Sequence, residues 1–132
     1  MSLPPDLARR LVAAAKKNCR KAYAPFSRFR VGAAALTSGG RIFSGCNIEN
    51  CSLGLTVCAE RVAVFAAVAA GCRKISAVAV FADTPEPVLP CGACLQVLAE
   101  FGTDPVILLA NGTTTERLRL SDLLPCRFRP SF

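Results

Sequence analysis

Two continuous apolar runs, Ile75 to Ala82 and Val106 to Ala110, leave this chain few ways to fold. Runs of that length and β-branched content belong to strands covered on both faces. Between them, Cys91 to Phe101 reads as a helix stopped by Gly102. Upstream, Phe29 to Thr37 and Arg41 to Cys46 flank Ser38-Gly39-Gly40 as the arms of a hairpin. Val57 to Ala70 is an apolar, alanine-rich helix ended by Gly71. Asp83 to Leu89 is a proline-punctuated loop, Arg117 to Leu120 a short edge strand, and Ser121 the N-cap of a brief helix through Leu124. A hairpin followed by helical crossovers implies a mixed sheet with helices on its faces. The expected fold is α/β, a three-layer α/β/α sandwich with a mixed sheet of about five strands, and residues 1–132 form a single domain.

Charge is unevenly spread. Residues 1–30 carry eight Lys or Arg against Asp6 alone, so the whole excess of +7 sits there. On a helical wheel Leu7, Leu11, Val12, Ala15, Cys19 and Ala22 fall on one arc and the charges on the other. That pattern describes a docked surface helix with a solvated basic face. A nucleic-acid footprint and a targeting presequence are the competing readings; only Ser2 and Ser27 supply serine for the latter.

Eight cysteines stand beside no histidine at all. Nucleophile–imidazole pairs, zinc fingers with histidine ligands and histidine-held haem are therefore excluded. A secreted disulfide framework is a further reading of so many cysteines. Against it, the first apolar run, Leu11 to Ala15, is five residues bracketed by basic ones, where a signal peptide needs about 7 to 15. Val62 to Cys72 is eleven residues, short of the roughly 20 that cross a bilayer. The expectation is a cytoplasmic protein, away from membranes, with cysteines held as thiols.

Three cysteines are set apart by position. Cys58 opens the alanine-rich helix, and Cys91 and Cys94 open the next as Pro90-Cys91-Gly92-Ala93-Cys94. Residues three apart share a helical face, which suits two ligands of one metal, and a helix N-terminus favours thiolate. Redox pairs and structural zinc sites share the C-x-x-C spacing. Cys58-Ala59-Glu60 separates the readings, because a structural zinc site has four protein ligands and here there are three with a carboxylate beside them.

Cys58-Ala59-Glu60-Arg61 followed by Pro90-Cys91-Gly92-Ala93-Cys94 resembles the small homotetrameric cytidine deaminases, zinc enzymes of the nucleobase-deaminase type. The resemblance covers nearly the whole chain: Tyr23 to Gly32 (YAPFSRFRVG), Gly45 to Asn50 (GCNIEN) and Leu123 to Phe128 (LLPCRF) sit where that family places corresponding segments. It implies one Zn2+ per subunit on Cys58, Cys91 and Cys94, with Glu60 as the catalytic proton carrier. Three thiolates leave zinc with a formal −1, so it should acidify water less than in imidazole sites, and a general base becomes necessary. In a regular helix residues two apart face away from each other, so Cys58 and Glu60 are expected within the first turn. Two helix N-termini supply partial positive charge. Arg61 is the implied cationic partner.

Around the substrate, Asn47 and Glu49 point to one side of an extended chain, and an amide with a carboxylate can bind a hydroxyl as donor and acceptor. The resemblance implies that they contact the ribose 3′-hydroxyl, that Phe29 and Ala59 line the substrate site, and that Phe128 reaches in from a neighbouring subunit. A homotetramer with shared active sites is implied. Leu95 stands where relatives usually carry arginine, and Leu53 where they usually carry tyrosine. The remaining Cys19, Cys46, Cys51, Cys72 and Cys126 read as buried thiols.

The expected activity is hydrolytic deamination of cytidine and 2′-deoxycytidine, as in pyrimidine salvage. A modified pyrimidine nucleoside or an aminopyrimidine antibiotic is the alternative substrate that Leu53 motivates. A polynucleotide deaminase would need room for a strand-binding insertion and a basic segment interleaved with stacking aromatics; this compact chain offers neither, so nucleic acid is not the expected partner. A noncatalytic zinc-stabilised module would leave Glu60 without a role.

Overall fold

The computed structural model describes residues 3–132. Helix α1 (Pro5–Cys19) starts on a proline, whose missing N–H costs nothing in a first turn. The hairpin β1 (Gly32–Thr37) and β2 (Ile42–Cys46) follows, then a 3-10 turn at Leu53–Leu55 and helix α2 (Ala59–Ala69). Strand β3 (Ile75–Phe81), helix α3 (Gly92–Phe101), strands β4 (Val106–Ala110) and β5 (Thr115–Arg119) and the short helix α4 (Leu120–Leu123) complete the chain.

The sheet order is β2-β1-β3-β4-β5. β3 and β4 run parallel through α3, with Ala79 opposite Leu108, and every other pair is antiparallel. The mixed five-stranded sandwich expected from the sequence is what forms. β1, β3 and β4 are apolar at nearly every position, yet their side chains divide by the period of two. Ala34, Leu36, Ala77, Ala79, Phe81, Leu108 and Ala110 meet Leu11, Ala15 and Cys19 of α1. Ala33, Ala35, Val78, Val80, Ile107 and Leu109 meet Ala63, Val64 and Ala67 of α2 and Leu95 and Leu98 of α3.

Boundaries differ from the sequence reading where a side chain from elsewhere captures the backbone. The first strand starts at Gly32, not Phe29, because the Asn47 amide accepts from the Val31 N–H at 2.9 Å and donates to the Phe29 carbonyl at 2.7 Å. Just before it, Arg28 is left-handed at φ 57°. Helix α2 starts at Ala59, with Cys58 extended ahead of it, and the last strand is Thr115–Arg119. Ser121 lies inside α4 and is not its cap: its N–H and hydroxyl donate to Asp104 at 2.9 and 3.0 Å, and Asp122 accepts the Arg119 N–H. Of the five cysteines read as buried, only Cys19 is; Cys46 and Cys72 are half-buried, and Cys51 and Cys126 are exposed.

Two glycines let the helices close on the sheet. A Cβ on Gly32 would overlap the Ala15 carbonyl and the Cys19 backbone of α1, and one on Gly45 would come within 2.5 Å of the Ala63 nitrogen and 2.8 Å of the Ala59 carbonyl of α2. Rigid backbone cannot yield to such contacts. Gly32→Ala and Gly45→Ala should each cost about 3 kcal/mol or more in urea unfolding, while Gly39→Ala, with nothing closer than 3.9 Å, should unfold like the parent.

Candidate active site

α3 begins outside the carboxyl end of β3, and the start of α2 is brought beside it. Cys58 and Cys91 occupy equivalent places, each the extended residue ahead of its helix, with φ −71° and ψ 154° and 166°. The expectation that Cys58 and Glu60 share the first helical turn is thus modified. Cys58 is not helical, so the rule that residues two apart diverge does not apply, and Glu60 follows as the second residue of α2.

The three sulfurs converge. Cys58 Sγ lies 3.8 Å from Cys91 Sγ, the Cys91 thiol donates to Cys94 Sγ at 3.5 Å, and all three lie within 4.8 Å of one another. Ligands at about 2.3 Å in a tetrahedron stand roughly 3.8 Å apart, so this donor set fits zinc with one position left over. Among the described residues no other group of three metal-binding side chains meets that distance. Hydrogen bonding from Cys94, with the guanidinium of Arg61 beside it, holds the Cys58 thiol well below the usual thiol range. The same bond and burial push the Cys94 thiol up.

Glu60 is 5% exposed, and burial pushes its carboxyl up to about 7, the Cys58 charge adding to the effect. Arg61 Nη2 donates to Cys58 Sγ at 3.5 Å, and its Nε is buried without an acceptor. Forgoing a buried hydrogen bond costs about 1–3 kcal/mol, and the guanidinium meets this cost with its charge set against Cys58 Sγ. Ala59, fully buried, fills the step between Cys58 and Glu60.

A second group forms around the loop before β1. Asn47 and Glu49 do face the same way, and what they meet is the Phe26–Val31 backbone. Glu49 Oε1 accepts the Phe26 and Ser27 N–H groups at 2.9 and 3.1 Å, and Oε2 takes the Ser27 hydroxyl. Those bonds, the hydroxyl's first, hold the Glu49 carboxyl below the usual range. Ser27 Oγ in turn accepts the Phe29 N–H at 3.0 Å. Sequence reasoning missed Ser27, whose partner lies 22 residues away. Ile48 ties this group to the metal-binding one, pairing with Tyr23 on one side and with Val57, next to Cys58, on the other.

Phe128 is not drawn into its own chain's site: its side chain is 73% exposed, while Gln96 of α3 holds its carbonyl at 3.4 Å. Leu53 is 71% exposed in the 3-10 turn. Leu95 packs into the core between α3 and the sheet, where a charge would be costly. A cavity of about 770 Å³ lies elsewhere, at the end of the sheet where β1 stops and β3 and β4 begin, and no predicted site residue lines it.

Residues 5–110 match the family model described as the cytidine and deoxycytidylate deaminase zinc-binding region. The chain is 50% identical over 121 residues to a cytidine deaminase of Sporosarcina psychrophila, covering 90% of this chain and 89% of that one. It is 50% identical to another from Halalkalibacterium halodurans, over 81% and 83% of the two chains. Among solved structures, the cytidine deaminase of Burkholderia pseudomallei superposes with a TM-score of 0.87 at 47% identity, covering 91% of this chain and 98% of that one. That of Mycobacterium tuberculosis gives 0.80 at 41%, covering 93% and 98%.

Two outcomes follow from the geometry. Zinc should raise the melting temperature of chelator-treated protein, and Cys94→Ser should erase that rise and leave less than one metal per chain by elemental analysis. Because the thiols must be deprotonated to bind metal, the rise should shrink as pH falls.

Proposed function

This chain belongs to the cytidine and deoxycytidylate deaminase zinc-binding family, and we propose that it hydrolyses cytidine and 2′-deoxycytidine to uridine and 2′-deoxyuridine with release of ammonia. Residues 1–132 act as one catalytic domain in the cytoplasm, in pyrimidine salvage. The observation that carries this reading is a buried carboxyl poised near neutrality, two residues from one of three converging thiols.

Cys58, Cys91 and Cys94 are the residues that would hold zinc, which when bound supplies the Lewis acidity that makes water a nucleophile at neutral pH. Glu60 takes the proton from the attacking water through a carboxylate oxygen and delivers it to N3 of the pyrimidine as the new C4–O bond forms. The same carboxylate then takes the proton of the new C4 hydroxyl and hands it to the exocyclic nitrogen, the C4–N bond breaks, and ammonia leaves as the C4 carbonyl forms. A group that both accepts and donates works best with its pKa near the working pH, and burial places Glu60 there. With no histidine in the chain, no imidazole competes for the task. Arg61 offsets the thiolate charge from the side of Cys58.

Phe29 lines the pyrimidine pocket, and Asn47 and Glu49 meet the ribose 3′-hydroxyl with the capacity their loop bonds leave free. Ala59 completes the wall. Phe128 enters the site of a neighbouring subunit in a homotetramer, a reading supported by its exposure together with that of Ile48, Leu53, Leu55 and Phe65.

Glu60→Gln should lower cytidine turnover by roughly 10²–10⁴-fold, followed by the absorbance change on deamination, with zinc content and melting temperature unchanged. Full activity in that variant, or negligible cytidine turnover by the zinc-loaded parent beside rapid turnover of a modified pyrimidine, would overturn the assignment. Ser27→Ala should raise KM several-fold and change kcat little, since the hydroxyl positions Glu49 and Phe29 and stays clear of the metal site.

A further inference from the structure

The excess charge of residues 1–30 is not spread over a featureless face. Lys16 in the last turn of α1, Arg20 at its C-cap, and Arg28 and Arg30, from the loop before β1, line one cavity of about 470 Å³. Asp83 is the single carboxylate in its wall. None of the four cations is ion-paired: the salt bridges among the described residues are Arg9–Asp6 and Arg119–Asp104. Like charges converge only at a cost, and a multiply charged anion removes it. Guanidinium groups grip phosphate oxygens in pairs, and an ammonium supplies a compact charge beside them.

The wall is also aromatic. Phe29 presents a partly exposed ring, and Lys16 stands 5.8 Å over the ring of Phe81. Phe81 is buried beneath Lys16, so the Phe29 ring is the aromatic surface on offer; a bare inorganic anion would leave it unused, whereas a nucleotide offers it a flat base. The volume lies within the usual range for sites holding small organic molecules. Cys19 and Phe81 put the cavity on the α1 face of the sheet, while the three metal-binding cysteines open the helices of the other face.

We propose that this cavity is a second ligand site, which binds a nucleoside phosphate with its phosphate between Lys16, Arg20, Arg28 and Arg30. It stands whether or not the chain deaminates cytidine. Its wall shares Phe29 with the substrate loop, so an occupied site and an occupied nucleoside pocket contact the same short segment.

The test is calorimetric titration of the zinc-loaded protein with cytidine 5′-monophosphate at low ionic strength, with saturating uridine present to fill the nucleoside pocket. One nucleotide should bind per chain. Lys16→Gln combined with Arg20→Gln, both at exposed positions, should weaken it by at least about tenfold and leave cytidine turnover unchanged. Asp83→Asn should tighten it several-fold, a gain that misfolding cannot produce. Loss of nucleotide binding when uridine is added would mean that only the nucleoside pocket binds it. Binding unaffected by the double substitution, pyrophosphate binding as tightly as the nucleotide, or binding of oligodeoxycytidine without the mononucleotide would equally overturn the proposal.

Discussion

Holding three cysteine sulfurs within 4.8 Å is an electrostatic problem before it is a catalytic one. Three thiolates around a divalent ion leave a net negative charge in a half-buried place, and the fold answers it from three directions. Two helices begin there, each with a cysteine as the last extended residue, so the positive ends of both helix dipoles lie at the cluster. Arg61 donates to Cys58 and keeps a buried Nε without a partner. Glu60 answers in the opposite sense, its carboxyl pushed toward neutrality so that one more charge is not forced into the cluster.

That convergence depends on the sheet. α2 and α3 pack on one face of the sheet, against Ala33 and Ala35 of β1, Val78 and Val80 of β3 and Ile107 and Leu109 of β4. Gly45 admits the first turn of α2, and Gly32 admits α1 on the other face. The small residues Gly45, Ala33 and Ala35 under α2 are therefore part of how the metal ligands meet. The loop before β1 is built differently: two polar side chains from beyond β2 grip a run of irregular backbone. Asn47 and Glu49 are ligand-facing candidates that also act as structural braces.

Much of this was legible in the residues themselves. Ile75 to Phe81 and Val106 to Ala110 announce covered strands because they are short and β-branched, where the longer apolar run of α2 is alanine-rich. Cys58, Glu60, Cys91 and Cys94 stood out because metal chemistry restricts both residue type and spacing. What was not legible depends on long-range bonds. Nothing near Phe29 indicates that its carbonyl belongs to Asn47, and nothing near Ser121 indicates Asp104 as its acceptor. Exposure of Cys51 and Cys126 is likewise set by how elements pack, as is the gathering of Lys16, Arg20, Arg28 and Arg30 around one cavity.

The account rests on an open metal site made of thiolates alone. X-ray absorption at the zinc edge of the purified protein tests it most directly. Three sulfurs at about 2.3 Å and one oxygen or nitrogen at about 2.0 Å are expected. Four sulfurs would mean a closed structural site recruiting a further cysteine, and two or fewer would remove Cys58, Cys91 or Cys94 from the metal; either result would contradict the account.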